Sequence, residues 1–283
     1  MRTDFETVLV AVEGGVATLT LNRPERGNAF NHTMDREFHE AMWALEAADE
    51  VRVIVVTGAG KVFCGGVDLE PAGDVFGAGA HEAHDAALGV DSDTVGERAA
   101  FWRMRTPVIG AINGSALGAG LTVPMLFDIR YVAEDAKLGF VFTRRGIFPE
   151  ANSNWLLPRL VGLGTALDLL LTGRMFSGRE AVEMGLASRA LPREEVLPAA
   201  LELARDLAAN TAPASVGIAK EMIYAALREP DRMASMRLET KITWWLGTHP
   251  DAMEGIMAFL QRRPPQWSGS KHLELPEGLQ IGR

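Results

Sequence analysis

The chain has 283 residues, of which 47% are hydrophobic, and its formal net charge is −9. This length allows one large domain with an appendage, and an acidic charge without a long basic run excludes a surface for nucleic acid or anionic membranes. The single cysteine excludes an internal disulfide framework and a cysteine-rich metal site, and the six histidines lack ligand spacing. We therefore expect a cytoplasmic protein without a metal, a nucleic-acid partner or a membrane partner.

The N-terminal part of the chain alternates strand and helix patterns. Gly14-Gly15 separates two β-rich runs and tolerates the positive φ of a two-residue hairpin turn. Short apolar runs and helical spacing of apolar residues then follow each other, which predicts an α/β fold. The predicted elements are strands at 8–13 and 16–21, a helix at 32–48, strands at 51–56 and 107–112, a helix at 117–127 and a strand at 129–133.

The remaining segments are predicted to be a loop, a set of helices and a tail. Residues 71–97 are rich in Gly, Ala and Asp, which predicts a mobile loop with a short helix that could act as a lid. The tail over 264–283 carries Pro and Gly turn signals and is predicted to be extended or frayed. Trp244-Trp245 is compatible with an interface or with a core. The predicted C-terminal helices cover 193–209, 213–228, 231–247 and 250–262.

Two glycine-containing turns, FCGGVDL at 63–69 and INGSALGAGLT at 112–122, can present free backbone N–H groups. Glycine lets successive amides point the same way, and a helix N-terminus adds partial positive charge, so such turns suit an anion or a developing oxyanion. Taken alone, each turn is better explained as a tight connection that needs glycine. Neither matches a Walker loop or a dinucleotide fingerprint.

Several segments resemble successive signatures of the enoyl-CoA hydratase/isomerase (crotonase) family, in the order and spacing of that family. They are NRPERGNAF, VTGAGKVFCGGVDL, TPVIGAINGSALGAG, FDIRYVAEDAKLGF, GIFPEANSNWLLPRLVGLGTALDLLLTG and AVEMGLASRAL, and together they cover residues 8–192. The resemblance implies an α/β fold built as a spiral of ββα units with a C-terminal all-helical trimerisation region. It also implies a core over 1–192, a helical oligomerisation region over 193–263, an extended tail over 264–283, and a homotrimer or a hexamer.

The resemblance assigns the oxyanion hole to the backbone N–H groups of Val67 and Ala119. Two amides aimed at a thioester carbonyl would stabilise an enolate. Coenzyme A would enter as part of an acyl-CoA substrate, so no separate cofactor is expected. Arg23 or Arg26 would meet a phosphate, unless they are solvated surface arginines, and Asn28-Ala29 would lie near the adenine. The full set of implied substrate contacts is Arg23, Arg26, Asn28, Ala29, Gly65, Gly66, Asp68, Leu69, Gly118, Thr122 and Phe142.

The acid/base residues distinguish the members of this family. Its hydratases use two glutamates, whose positions here fall on Thr122 and Phe142. Glu150 matches the single catalytic glutamate of the Δ3,Δ2-enoyl-CoA isomerases, and one carboxylate suffices to move a proton between two carbons. An apolar surround would raise the pKa of Glu150 and improve it as a base. The residues expected to form that surround are Phe142, Ile147, Phe148 and Trp155.

The leading hypothesis is therefore an enoyl-CoA isomerase of fatty acid metabolism. One alternative is an enoyl-CoA hydratase, a lyase, of unusual mechanism, and another is a non-catalytic acyl-CoA-binding protein. A structural role for Glu150 also stays open, because a carboxylate before a helix complements its dipole. Asp68 is expected to stabilise its own turn. Cys64 is expected to be a small buried hydrophobe.

Overall fold

The structure is a computed structural model that describes residues 4–69 and 95–281. None of its described helices has the length and hydropathy of a membrane-spanning segment. The strands are β1 Val8–Glu13, β2 Val16–Leu21, β3 Val53–Gly58, β4 Val62–Cys64, β5 Val108–Ile112, β6 Ser115–Leu117, β7 Ile129–Ala133, β8 Leu138–Gly139, β9 Met175–Phe176 and β10 Arg189–Leu191. The helices are α1 His32–Ala47, α2 Val95–Arg98, α3 Ala119–Met125, α4 Ser153–Val161, α5 Leu163–Thr172, α6 Gly178–Glu183, α7 Arg193–Asn210, α8 Pro213–Ala226, α9 Arg232–Leu246 and α10 Pro250–Gln261.

Six strands form the larger sheet, in the order β1-β2-β3-β5-β7-β10. The first two strands pair antiparallel and every later neighbour pairs parallel. The predicted hairpin is confirmed: Gly14 and Gly15 have φ of +58° and +82°, which is the left-handed geometry that a type I′ turn requires at both positions. Helix α1 makes the crossover from β2 to β3, as the sequence pattern predicts.

The smaller sheet has the order β4-β6-β8-β9. Strand β4 follows β3 along the chain, β6 follows β5, and β8 follows β7, so each turn of the chain contributes one strand to each sheet before a helix returns it. This arrangement is the predicted spiral of ββα units. The sequence analysis did not identify the smaller sheet, because its strands are only two or three residues long and show no period.

Helix α7 packs against the centre of the larger sheet. Its buried residues are Val196, Ala200, Ala204 and Ala208, spaced four apart, so they form one face of the helix. Small side chains on that face allow a close approach to β3, β5 and β7, with which the helix is in contact. All four predicted C-terminal helices are present. The division between a core ending at residue 192 and a separate oligomerisation region remains a prediction.

One predicted helix differs from the structure, and one predicted loop lies almost wholly outside the described residues. The helix predicted over 117–127 is shorter: residues up to Leu117 form β6, and the helix begins only at Ala119. Gly118 separates the two elements with a φ of +53°, a backbone geometry that favours glycine. The loop predicted over 71–97 lies outside the described residues, except for the start of α2 at Val95.

The tail, which the sequence predicts to be extended or frayed, is anchored to the rest of the chain. It lacks regular secondary structure, but Lys271 is buried and its Nζ donates to Leu45 O, Val51 O and Thr106 Oγ1 at 3.2, 2.8 and 2.8 Å. Near the end of the chain, Ile281 is buried in a small apolar cluster with residues of α8 and α9. Turn signals predict the absence of helix and strand here, whereas the anchoring comes from contacts distant in sequence.

The buried Lys271 contacts should contribute measurably to stability. We expect Lys271→Met to lower the free energy of unfolding by roughly 2–4 kcal/mol, because three buried acceptors lose their donor. Urea denaturation at one fixed protein concentration measures this change. Lys241→Met is the matched control, because Lys241 is exposed on α9. Equal stability of the two variants would contradict the anchoring role of the tail.

Candidate active site

The predicted oxyanion residues, Val67 and Ala119, follow the ends of two adjacent parallel strands of the smaller sheet. Strand β4 pairs parallel with β6, Val67 lies three residues beyond the end of β4, and Ala119 lies two residues beyond the end of β6. The N–H groups of Val67 and Ala119 donate to no other described residue. Ala119 is also the first residue of α3, where an amide has no acceptor within the helix. Two unused donors therefore meet at one edge of the sheet.

Glycines make this close approach possible. A Cβ on Gly66 would lie 2.8 Å from Leu117 O and 3.8 Å from the amide nitrogen of Ala119, and Gly66 has a φ of +103°. A Cβ on Gly120 would lie 2.2 Å from Cys64 O, so no side chain fits at this position. The glycine pattern of the two turns is thus required by the contact between them, in addition to any role in catalysis.

A cavity of about 340 Å³ opens in front of these two amides. Among the described residues that line it, Glu150 is the one acidic residue and Arg145 the one basic residue, and the rest are glycine or apolar. Such a volume and lining suit a small-molecule ligand with a large apolar part. The described lining residues are Gly65, Gly66, Val67, Leu69, Gly118, Ala119, Val141, Phe142, Arg145, Ile147, Phe148 and Glu150.

Glu150 reaches the cavity from the segment that precedes α4. Its carboxylate Oε1 accepts a short hydrogen bond from the hydroxyl of Thr122, which is fully buried on α3. The two residues after it, Ala151 and Asn152, have φ of +51° and +59°. Left-handed backbone at two successive residues other than glycine is strained, so the segment is held by its contacts and not by local preference.

The protein closely surrounds the carboxylate of Glu150, although its side chain is exposed towards the cavity. This burial raises the pKa of Glu150, the hydrogen bond from Thr122 lowers it, and the charge of Asp35 raises it further. Asp35 lies on α1 and contacts His39 of the same helix and Arg98 of α2 at 3.4 Å each. A raised pKa brings a glutamate closer to the neutral range in which a general base works best.

Three of the four residues expected to surround Glu150 do line this cavity. Phe142, Ile147 and Phe148 form part of its apolar wall. Trp155 instead lines a second cavity of about 280 Å³, together with Trp102 and Tyr224 among others. Trp155 therefore does not belong to the apolar wall of the cavity that Glu150 lines.

The predicted phosphate-binding arginines have carboxylate partners within the chain. Arg23 and Arg26 contact the two oxygens of Asp68 at 3.0 and 2.9 Å, and Arg23 also donates to Ala29 O at 2.6 Å. Asp68 thus pairs with two arginines, whereas the sequence analysis expected it to stabilise its own turn and to be one of the substrate contacts. These ion pairs join the loop after β2 to the loop after β4. The contact of these residues with substrate remains a prediction.

Two further predicted residues are structural in their observed contacts. Asn28 is fully buried, and its amide donates to Ala59 O and Val62 O at 2.8 and 2.7 Å. It therefore holds the loop before β4, and a position near the adenine, as for Ala29, remains a prediction. Cys64 is buried, as expected, and burial raises the pKa of its thiol to about 12. A thiol with that pKa is not a nucleophile at neutral pH.

The sequence analysis did not identify two features of this site. The Thr122 hydroxyl was considered only as a replacement for a lost glutamate, whereas it is hydrogen bonded to Glu150. Asp35 gave no signal, because an acid in the first turn of a helix is common for reasons of the helix dipole. Both features depend on contacts between residues that are distant in sequence.

Comparison with known proteins agrees with this geometry. The enoyl-CoA hydratase/isomerase family matches residues 11–270 of the chain. The enoyl-CoA hydratase ACTT3 of Alternaria alternata is 36% identical over 267 residues, covering 94% of this chain and 87% of that protein. The 1,2-epoxyphenylacetyl-CoA isomerase of Escherichia coli (strain K12) is 36% identical over 274 residues, covering 94% of this chain and 99% of that protein.

The fold is also similar to solved structures. The crystal structure of a probable enoyl-CoA hydratase/isomerase from Mycobacterium abscessus superposes with a TM-score of 0.83 at 38% identity, covering 93% of this chain and 98% of that chain. An enoyl-CoA hydratase structure from Geobacillus kaustophilus gives a TM-score of 0.82 at 31% identity. The family match, the sequence identity and the shared fold together show that the chain belongs to the enoyl-CoA hydratase/isomerase family.

Proposed function

We propose that the protein is an enoyl-CoA double-bond isomerase with Glu150 as its one acid/base group. The observation that carries this proposal is the composition of the cavity, in which Glu150 is the one acid among the described lining residues. It faces the same space as the unused amides of Val67 and Ala119. A base beside an oxyanion hole is the arrangement that enolate chemistry requires.

The reaction follows from this arrangement. Glu150 removes a proton from the α-carbon of a 3-enoyl-CoA, and the electron pair of that C–H bond moves towards the thioester oxygen. The resulting dienolate oxygen accepts hydrogen bonds from the amides of Val67 and Ala119. The protonated Glu150 then returns the proton to the γ-carbon, and the double bond moves to lie between the α- and β-carbons. Substrate and product differ only in the position of that bond.

The residues at the two other family positions favour isomerisation over hydration. Adding water requires one group to activate water and a second to deliver a proton to the α-carbon. Phe142 is apolar and buried, and the hydroxyl of Thr122 is bonded to Glu150. Neither can act as a second carboxylate. The names of the relatives do not decide between the reactions, since proteins named hydratase and isomerase match at 36% identity alike.

Removal of the Glu150 carboxylate should abolish isomerisation and preserve binding. We expect Glu150→Gln to lower kcat for 3-enoyl-CoA substrates by about 10²–10⁴-fold, the usual contribution of a general base. A panel of 3-enoyl-CoA chain lengths provides the turnover assay, and calorimetry measures acyl-CoA binding. Glu183→Gln is the matched control, because Glu183 is exposed on α6.

Each alternative function gives a different result in the same experiment. Hydration of 2-enoyl-CoA that continues in Glu150→Gln would favour a hydratase of unusual mechanism. Binding without turnover in the unmodified protein would favour a non-catalytic acyl-CoA-binding protein. Absence of binding to every acyl-CoA in the panel would contradict all three functions.

The raised pKa of Glu150 should be visible in the pH dependence of the reaction. Glu150 acts as a base only when ionised, so kcat/KM should fall as the pH drops through its pKa. Because burial raises this pKa, we expect the fall to begin at a higher pH than an ordinary glutamate gives. A pH–rate profile of 3-enoyl-CoA isomerisation measures it. An acid limb in the ordinary range of glutamate would contradict the expected burial effect.

We further propose that the protein acts as a homotrimer, or as a hexamer of two trimers. Helix α10 exposes Phe259 and Leu260 by 82% and 67%, and α9 exposes Trp244 by 77%, whereas its neighbour Trp245 packs against the small apolar cluster. Exposed apolar surfaces of this extent are typical of protein interfaces. The resemblance to the family supports a second copy of the chain as the partner. We also propose a cytoplasmic location, because a chain with a single cysteine has no internal disulfide framework.

Solution mass tests the proposed assembly. Light scattering after size-exclusion chromatography should give three or six times the 30.6 kDa mass of the chain. We expect Phe259→Glu to shift the protein towards the monomer, because a buried unpaired charge opposes association. Leu9→Glu, on the exposed side of β1, should leave the mass unchanged. A monomeric unmodified protein would contradict the proposed assembly.

A further inference from the structure

We propose that Thr122 is a positioning residue whose hydroxyl fastens Glu150 to the helix that supplies the oxyanion donor Ala119. This inference rests on the proposed role of Glu150 as the base. The position is one where the family's hydratases carry a carboxylate. Here the side chain is an alcohol that does not reach the substrate and acts through Glu150.

The location of Thr122 supports this role. It is fully buried and is not among the described residues that line the cavity, so its hydroxyl is not available to a ligand there. It lies on α3 three residues after Ala119. One short helix therefore carries both the amide that would hold the enolate oxygen and the hydroxyl that holds the base.

The hydroxyl proton has one good acceptor. Besides the Glu150 carboxylate, Thr122 Oγ1 lies 3.4 Å from Gly118 O and 3.5 Å from Ala119 O. These distances are at the limit of hydrogen bonding, and an ionised carboxylate is the stronger acceptor. A hydroxyl has a single proton to donate. Thr122 therefore donates it to Oε1 of Glu150, which leaves the other carboxylate oxygen to handle the substrate proton.

The hydrogen bond from Thr122 also opposes the two effects that raise the pKa of Glu150. Burial and the charge of Asp35 favour the protonated carboxyl, and Asp35 is itself flanked by His39 and Arg98. Arg145 is the remaining charged group among the described residues of the cavity. The Thr122 hydroxyl stabilises the ionised form and so lowers the pKa of Glu150. Without it, the carboxyl of Glu150 would stay protonated up to a higher pH.

The hydrogen bond from Thr122 also positions the Glu150 carboxylate, because the backbone beside Glu150 is strained. Ala151 and Asn152 both lie in the left-handed region, so local preference does not keep the segment in place. The hydrogen bond to α3 is a specific contact that holds the carboxylate at the cavity. Loss of a positioning contact reduces catalysis through misalignment of the base.

Substitution of Thr122 separates this role from a purely structural one. We expect Thr122→Val to reduce kcat by about tenfold or more and to move the acid limb of kcat/KM to higher pH, while acyl-CoA binding stays within about twofold. Thr122→Ser keeps the hydroxyl, so its kcat and the acid limb of its kcat/KM should match those of the unmodified protein. Ser153→Ala is the matched control, because Ser153 carries a buried hydroxyl without a hydrogen-bond partner in the described chain.

The outcomes distinguish this inference from the proposed function. A pH profile of Thr122→Val that superposes on the unmodified protein, or a Thr122→Ser variant as impaired as Thr122→Val, would overturn the positioning role. Full activity of Glu150→Gln would instead refute the proposed function. Thermal melting of each variant shows whether a loss of rate comes from unfolding. If Thr122→Val is unfolded, Thr122→Ala removes the same hydroxyl with a smaller side chain, and an acid limb of Thr122→Ala that superposes on that of Thr122→Ser would likewise overturn the inference.

Discussion

The close approach of two glycine turns is the constraint on which the site depends. Strands β4 and β6 run side by side, and the backbone after each strand must present a free amide to the same point. That geometry leaves no room for a Cβ at Gly66 or at Gly120, whose Cβ would lie 2.2 Å from Cys64 O. The smaller sheet sets the spacing, and α3 adds its N-terminal amides. An oxyanion hole of this kind uses backbone donors that are fixed before the substrate arrives.

The proposed acid/base group is attached to the same framework. Glu150 stands on a strained segment, and its carboxylate is bonded to Thr122 on α3, the helix that begins with Ala119. The proposed base and the proposed oxyanion donor are therefore linked through one helix of seven residues. Enolate chemistry depends on the distance between these two groups, because a small misplacement of a general base costs much of its effect. The ion pairs of Asp68 with Arg23 and Arg26 hold the loop that carries Val67, the other proposed oxyanion donor.

The sequence predicts those parts of the molecule that depend on local pattern. The hairpin at Gly14-Gly15, the four C-terminal helices and the α/β alternation all follow from turn chemistry or periodicity. The resemblance to a family predicts the positions of Val67, Ala119 and Glu150, which the cavity brings together. Strands of two or three residues have no period, so the smaller sheet was missed. Contacts distant in sequence explain the remaining differences: Lys271 anchors the tail, Asp68 pairs with two arginines, and Thr122 reaches Glu150.

The most direct test follows the proton itself. In a 3-enoyl-CoA with deuterium at both α-positions, Glu150 should take one deuteron from the α-carbon and return it to the γ-carbon, so the 2-enoyl-CoA product should carry one deuterium at each of these carbons, as read by mass spectrometry and NMR. The same substrate should remain unchanged with Glu150→Gln. A product with oxygen added at the β-carbon, or proton transfer that persists without the Glu150 carboxylate, would contradict a single-base isomerase.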